Sequence, residues 1–96
     1  MKLSDKQIDS ELGLLGEAWQ RHGDSIVAAY KLASFPAALA FASTVGHLAE
    51  AADHHPDILI QWRTVTLTLS THSAGGLTLA DFNLAKQIHS LPIKST

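Results

Sequence analysis

Thr64-Val65-Thr66-Leu67-Thr68-Leu69-Ser70-Thr71 is the stretch on which the fold turns. Large apolar side chains stand at every second residue. Successive side chains of a strand point to opposite faces, so Val65, Leu67 and Leu69 are predicted to line a covered face and Thr66, Thr68 and Ser70 an open one. Ile58 to Gln61 lies just upstream and supplies a hairpin partner. A second pair of strands is predicted nearer the start. Glu17 to His22 and Ser25 to Leu32 flank Gly23-Asp24, and Ile26, Ala28, Tyr30 and Leu32 alternate with Val27, Ala29 and Lys31.

Helices fill the spaces between the hairpins. Ser4 with Gln7 three residues on reads as a capping box, Leu3 and Ile8 as its hydrophobic staple, and Ile8, Leu12 and Leu15 as one buried stripe. Gly16 is the expected C′ residue of a helix ending near Leu14. Ser34 can cap a second helix, with Pro36 tolerated in its first turn, running to about Ala52. Apolar residues stand on nearly every side of this helix, too many for one sheet to cover, so it is expected to pack against its copy in another subunit. Thr78 and Asp81 repeat the cap-plus-acid pattern, with Leu77 and Phe82 as staple, before a last helix carrying Phe82, Ala85 and Ile88. Pro92 to Thr96 is expected to be a frayed tail. The order α-β-β-α-β-β-α implies an α+β fold: a single four-stranded antiparallel sheet with three helices packed on one face.

Composition bounds the function. At 96 residues the chain is one domain, residues 1–96. Apolar residues make up 46% and charged residues 17%, enough to build a core and unlike a disordered chain. No apolar run approaches the roughly 18 residues of a membrane span, and Met1-Lys2-Leu3-Ser4-Asp5 opens without an apolar leader core, so a soluble cytoplasmic protein is expected. Seven scattered Lys and Arg against nine Asp and Glu leave a net charge of −2, which gives no footprint for nucleic acid or an anionic membrane. With no cysteine, disulfides, thiolate metal sites and Cys nucleophiles are excluded together. The six histidines are the main titratable material near neutral pH.

The most unusual segment is Glu50-Ala51-Ala52-Asp53-His54-His55-Pro56. If the second helix runs that far, Glu50 and His54 share a face at i, i+4 and the carboxylate can orient the imidazole. Pro56 disfavours the α conformation at His55, which helps end the helix and turns the adjacent histidines apart. The plainer alternative is a pair of solvated residues drawn to the negative end of the helix dipole. His72 closes the later strand. It falls on the face of Thr66, Thr68 and Ser70 if strand geometry persists, and a bend after Ser70 voids that inference. A metal reading of these histidines is opposed by spacing, because adjacent histidines diverge where a helical chelating pair needs i, i+3 or i+4. His22, His47 and His89 show no partner pattern. No G-x-S-x-G, G-x-G-x-x-G or G-x-x-x-x-G-K-[ST] occurs.

Together these residues resemble the pterin-4a-carbinolamine dehydratases, also called dimerisation cofactors of a hepatic transcription factor. The family pattern is an acidic or similar residue, three positions, His-His-Pro, five or six positions, an aromatic, nine positions, His, and then an Asp; it appears here as Glu50, His54-His55-Pro56, Trp62, His72 and Asp81. The likeness extends through Leu69-Ser70-Thr71-His72 and Gly75-Gly76-Leu77-Thr78 to Ile88, and more loosely upstream to Trp19, Tyr30 and Phe35. Two positions depart: Ile58 replaces an aromatic and Ala80 a basic residue.

The resemblance implies the same fold and a reaction, removal of water from a 4a-hydroxytetrahydropterin to give the quinonoid dihydropterin, with no cofactor and no metal. Such a step needs an acid for the departing hydroxyl and a base for the N5 proton, roles that suit imidazole with its ordinary pKa near about 6.5. It implies His54, His55 and His72 as the acid-base set, with Glu50 orienting His54. The pterin ring would rest against the His54-His55-Pro56 turn and the Thr71-His72-Ser73-Ala74 loop. Asp81 would serve as helix N3 acid and site support, and Trp62 as a pocket wall or as packing. A homodimer or homotetramer is implied, in the pathway of an aromatic amino acid hydroxylase. The competing class is a non-catalytic binding module, a transcriptional coactivator or assembly chaperone, and a third is a small metal-binding protein.

Overall fold

The computed structural model describes residues 1–92. Helix α1 spans Asp5–Leu15, strand β1 Gln20–His22, strand β2 Ser25–Lys31, helix α2 Phe35–Ala52, strand β3 Asp57–Gln61, strand β4 Thr64–Leu69 and helix α3 Leu79–His89. A short 3-10 turn, His72–Ala74, precedes α3. The four strands form one antiparallel sheet in the order β1-β2-β4-β3. The alternating stretch is thus an inner strand, paired on both edges with β2 and β3.

Burial follows the alternation. Val65, Leu67 and Leu69 of β4, with Ile26 and Ala28 of β2, are removed from solvent, while Thr66 and Thr68 are half-exposed. All three helices contribute to the core on that face: Ile8 and Leu15 from α1, Ala38, Phe41, Val45 and Ala49 from α2, and Phe82, Leu84, Ala85 and Ile88 from α3. Both capping boxes form: Ser4 with Gln7 at the start of α1, and Thr78 with Asp81 at the start of α3. Ser34 caps α2, its hydroxyl accepting from the Ala37 N–H at 3.2 Å, with Pro36 in the first turn where no intrahelical donor is required.

Five boundaries differ from the sequence expectation, two of them by a single residue where β2 ends at Lys31 and β3 opens at Asp57. Helix α1 runs one residue further, burying Leu15 and leaving Leu14 exposed, before Gly16 turns the chain at φ 73°. Strand β1 begins at Gln20 rather than Glu17, because the turn at Gly16 occupies the preceding residues. Trp19 therefore does not open the strand; it is buried ahead of it, its indole N–H donating to the Tyr30 hydroxyl at 3.0 Å. Strand β4 stops at Leu69, and Thr71 rejoins only through an isolated bridge to Gly76. The Ser70 hydroxyl, donating to the Asp24 carbonyl at 2.7 Å, ties this end of the sheet to the β1–β2 turn.

Helix α2 leaves Phe35 and Leu39 exposed, so one chain does not cover its apolar surface. Among the described residues no helix is long and apolar enough to cross a membrane. Most of the expected tail, residues 93–96, lies outside the described residues.

Candidate active site

The end of α2 sets the site. Asp53 takes the left-handed conformation at φ 50° and ψ 44°, a position usually given to glycine or asparagine. The Asp53 N–H bonds back to the Glu50 carbonyl and the His54 N–H to the Ala49 carbonyl, both at 3.1 Å. This closure satisfies the last carbonyls and swings His54 off the helical spiral. The helix therefore ends before His54, earlier than Pro56 alone requires, and His54-His55-Pro56 runs straight into β3.

Leaving the spiral breaks the i, i+4 relation, which corrects the pairing expected between Glu50 and His54. Glu50 Oε1 instead meets His55 Nε2 at 2.8 Å, and both side chains are well exposed. His54 turns inward, its Nε2 lying 2.5 Å from Asp81 Oδ1. The His54 side chain is 14% exposed and Asp81 is fully buried.

Asp81 is more than a helix cap. Its Oδ2 accepts from the Thr78 backbone N–H at 2.9 Å and from the Thr71 hydroxyl at 2.7 Å. The Thr71 proton being committed there, the Thr78 hydroxyl donates to Thr71 across 2.9 Å. A buried carboxylate stays ionised only when donors surround it. Two donors are fixed on Oδ2, and an ionised Oδ1 can only accept, so the proton of the His54 contact belongs to Nε2. Nδ1 is then the ring nitrogen of His54 that does not face Asp81.

Thr71 is also the hinge to His72. The chain bends after Ser70, so the strand-face inference for His72 lapses; His72 and Ser73 lie exposed on the 3-10 turn and Ala74 is half-buried. The loop closes where the Thr71 N–H donates to the Gly76 carbonyl at 3.1 Å, with Gly75 at φ 71°. Asp81 thus joins the His54-His55-Pro56 turn to the Thr71–Gly76 loop. Glu50 borders the first segment, which ends in Pro56, and Ser73 and Ala74 belong to the second. Trp62 is not brought to them within one chain. It is 70% exposed in the β3–β4 turn, beyond the other end of a strand about 17 Å long at roughly 3.4 Å per residue, with the Arg63 guanidinium 4.4 Å from its ring centroid. Among the described residues, no group of three His, Asp or Glu side chains is arranged to hold a metal ion.

The His54–Asp81 contact was the pairing that sequence spacing missed, since its residues are 27 positions apart. The only trace was the position of Asp81 in the family pattern, where its capping role already accounted for it.

With this geometry in place, similarity to known proteins becomes informative. The Pterin 4 alpha carbinolamine dehydratase family model matches residues 1–91, and the chain belongs to that family. A protein of Roseiflexus sp. (strain RS-1), provisionally named pterin-4-alpha-carbinolamine dehydratase, is 56% identical over 87 residues, covering 91% of this chain and 92% of that one. A Nocardia farcinica protein with the same provisional name is 56% identical over 89 residues, covering 93% of each chain. Among solved structures, a transcriptional coactivator/pterin dehydratase from Brucella melitensis superposes with a TM-score of 0.88 at 28% identity, over 94% of this chain and 97% of its own. A pterin dehydratase-like RuBisCO assembly factor of the alpha-carboxysome shares the fold, with a TM-score of 0.67 at 21% identity over 85% and 96% of the two chains.

Proposed function

We propose that this chain dehydrates 4a-hydroxytetrahydropterins by histidine acid-base catalysis. The observation that carries the reading is the buried Asp81 carboxylate on His54, anchored by Thr71 to the loop bearing His72. In the reaction the C4a–O bond breaks, with the hydroxyl leaving as water after gaining a proton, and N5 loses its proton as the N5–C4a double bond of the quinonoid dihydropterin forms. A base that becomes a cation is stabilised by a fixed carboxylate behind it, so His54 is the better acceptor for the N5 proton. His72 or His55, both solvent-accessible, supplies the proton to the departing hydroxyl and recharges from water. The exposed His72-Ser73 part of the turn that Thr71 and Ala74 close, together with the ring of Pro56, would receive the flat pterin, with Glu50 holding His55.

The reading extends to tetrahydropterin recycling beside an aromatic amino acid hydroxylase, and to a homodimer or homotetramer of cytoplasmic protein covering the α2 face that holds Phe35 and Leu39. No metal is required. The test is dehydration of a synthetic carbinolamine by purified protein, with the uncatalysed rate subtracted. Acceleration that survives EDTA supports the reading, whereas loss in EDTA with rescue by zinc overturns the metal-free mechanism. A second reading, a binding module acting as coactivator or assembly chaperone, draws on the exposed apolar side chains Phe35, Leu39, Leu59 and Trp62. Folded protein with no rate above background would put it first. Light scattering should give a dimer or larger, and a monomer at micromolar concentration would refute the assembly.

A further inference from the structure

The loop that carries His72 is held from two sides, and the active-site network accounts for only one. On the inner side Thr71 is tied to Asp81 and Thr78. On the other, the first residues of the chain lie against it: the Leu3 N–H donates to the Leu77 carbonyl at 2.8 Å, which lays Lys2 beside Gly76. A methyl group built on Gly76 would meet Lys2 Cε at 2.8 Å, Cδ at 3.2 Å and Cγ at 3.3 Å, so the Lys2 stem rests on the bare Gly76 backbone. Gly76 is buried although its neighbour Gly75 is exposed. Its φ lies outside the left-handed region, so no backbone strain calls for glycine here; what lies nearest the bare Cα is the stem of Lys2, itself an exposed residue.

Gly76 is also the residue through which the loop closes, in both directions, on Thr71, at 3.1 Å and 3.4 Å. We infer that the Lys2 stem is a positioning element for the site, an N-terminal strap that presses Gly76 against Thr71 and thereby fixes the 3-10 turn holding His72. Lysine stems commonly cover apolar or backbone surface while the ammonium stays in water, so the packing part of this role belongs to the methylenes. The inference rests on the proposed role of His72 for its catalytic half. Its structural half stands on the contacts alone.

The experiment separates the two halves. Amide hydrogen exchange reads closure of the loop whatever the protein catalyses, and steady-state dehydration reads the catalytic consequence. In Lys2→Ala the Thr71 and Gly76 amides should exchange about tenfold faster while the core strands keep their protection. The dehydration kcat/KM should fall by about tenfold, because small misplacement of a proton-transfer group is costly. Lys2→Met keeps the stem without the charge and should restore both. Gly76→Ala should reproduce the defect when Lys2 is present and add nothing to Lys2→Ala, where space for the methyl has been made. Unchanged exchange in Lys2→Ala overturns the strap. Lys2→Met as impaired as Lys2→Ala, with Lys2→Arg normal, overturns the stem in favour of the charge. Faster exchange with unaltered dehydration removes the positioning role. Complete absence of dehydratase activity in the unsubstituted protein would sink the proposed function, and the exchange data would still decide whether the strap exists.

Discussion

His54 and His55 are adjacent, each faces a carboxylate through Nε2, and the two pairs have opposite physical characters. The His55–Glu50 pair stands in water, where high dielectric and salt leave an ion pair little net strength. The His54–Asp81 pair is largely withdrawn from water, and the carboxylate is bound by three donors. There the geometry is fixed, and losing one partner leaves a buried polar group without its hydrogen bond. The same two side-chain types thus make an adjustable surface contact in one place and an orienting device in the other. Asp53 decides which is which, because its left-handed backbone turns one ring inward and leaves the next outside.

Asp81 is the point at which this contrast breaks most severely. Asp81→Ala should lower kcat/KM by about 10²-fold or more and unfold earlier in urea, by about 2–4 kcal/mol, since the Thr78 N–H and the hydroxyl of Thr71 lose their acceptor together. Wild-type denaturation and activity in this variant would place His54 under some other control. Next come the histidines themselves. His54→Ala and His72→Ala should each cost about 10²-fold or more where proton transfer limits the rate, and His55→Ala should do so if it is the acid, with far-UV circular dichroism and oligomer size unchanged. Three folded variants with wild-type efficiency would remove acid-base catalysis and leave the binding module.

A third histidine contact sharpens the comparison from outside the site. Tyr30, whose hydroxyl accepts from Trp19 and lies 3.2 Å from His89 Nδ1, is pushed above the ordinary tyrosine pKa by burial, the Trp19 hydrogen bond opposing this. Burial favours the neutral phenol in the folded state. The stability this contributes is complete below the unfolded tyrosine pKa, about 10, and is lost as pH rises through the higher folded value. Thermal melts above pH 10 should therefore fall more steeply for wild type than for Tyr30→Phe; parallel curves would show that Tyr30 does not govern the alkaline limb. The smallest effect belongs to the exposed pair. Glu50→Gln should leave the melting midpoint unchanged and kcat/KM within about threefold, because an exposed ion pair holds its partner weakly. A loss rivalling that of Asp81→Ala would erase the distinction between the pairs.

Legibility in the sequence followed the range of the interactions. The alternation in β4, the capping boxes at Ser4 and Thr78 and the Ser34 cap are written within a few residues, and each formed where expected. The Glu50–His54 pairing failed for the same reason that it looked sound. Its spacing assumed two more residues of helix beyond Ala52, and a single residue in a left-handed conformation, at a position where Asp carries no strong signal, cancelled the assumption. His72 was lost to the strand face in the same way, by a bend that lets Thr71 reach Asp81.

Periodicity and caps by themselves determined the strands, the helices, their order and the one-sided core, because these depend on side-chain direction along a local backbone. Residue identity determined that imidazoles gather around a proline turn. Only the tertiary structure decided which carboxylate serves which histidine, that Asp81 is buried beneath His54, and that Lys2 lies on Gly76. Those contacts join residues 27 and 74 positions apart or rest on one dihedral angle, and no local pattern of spacing encodes where a folded chain brings such groups together.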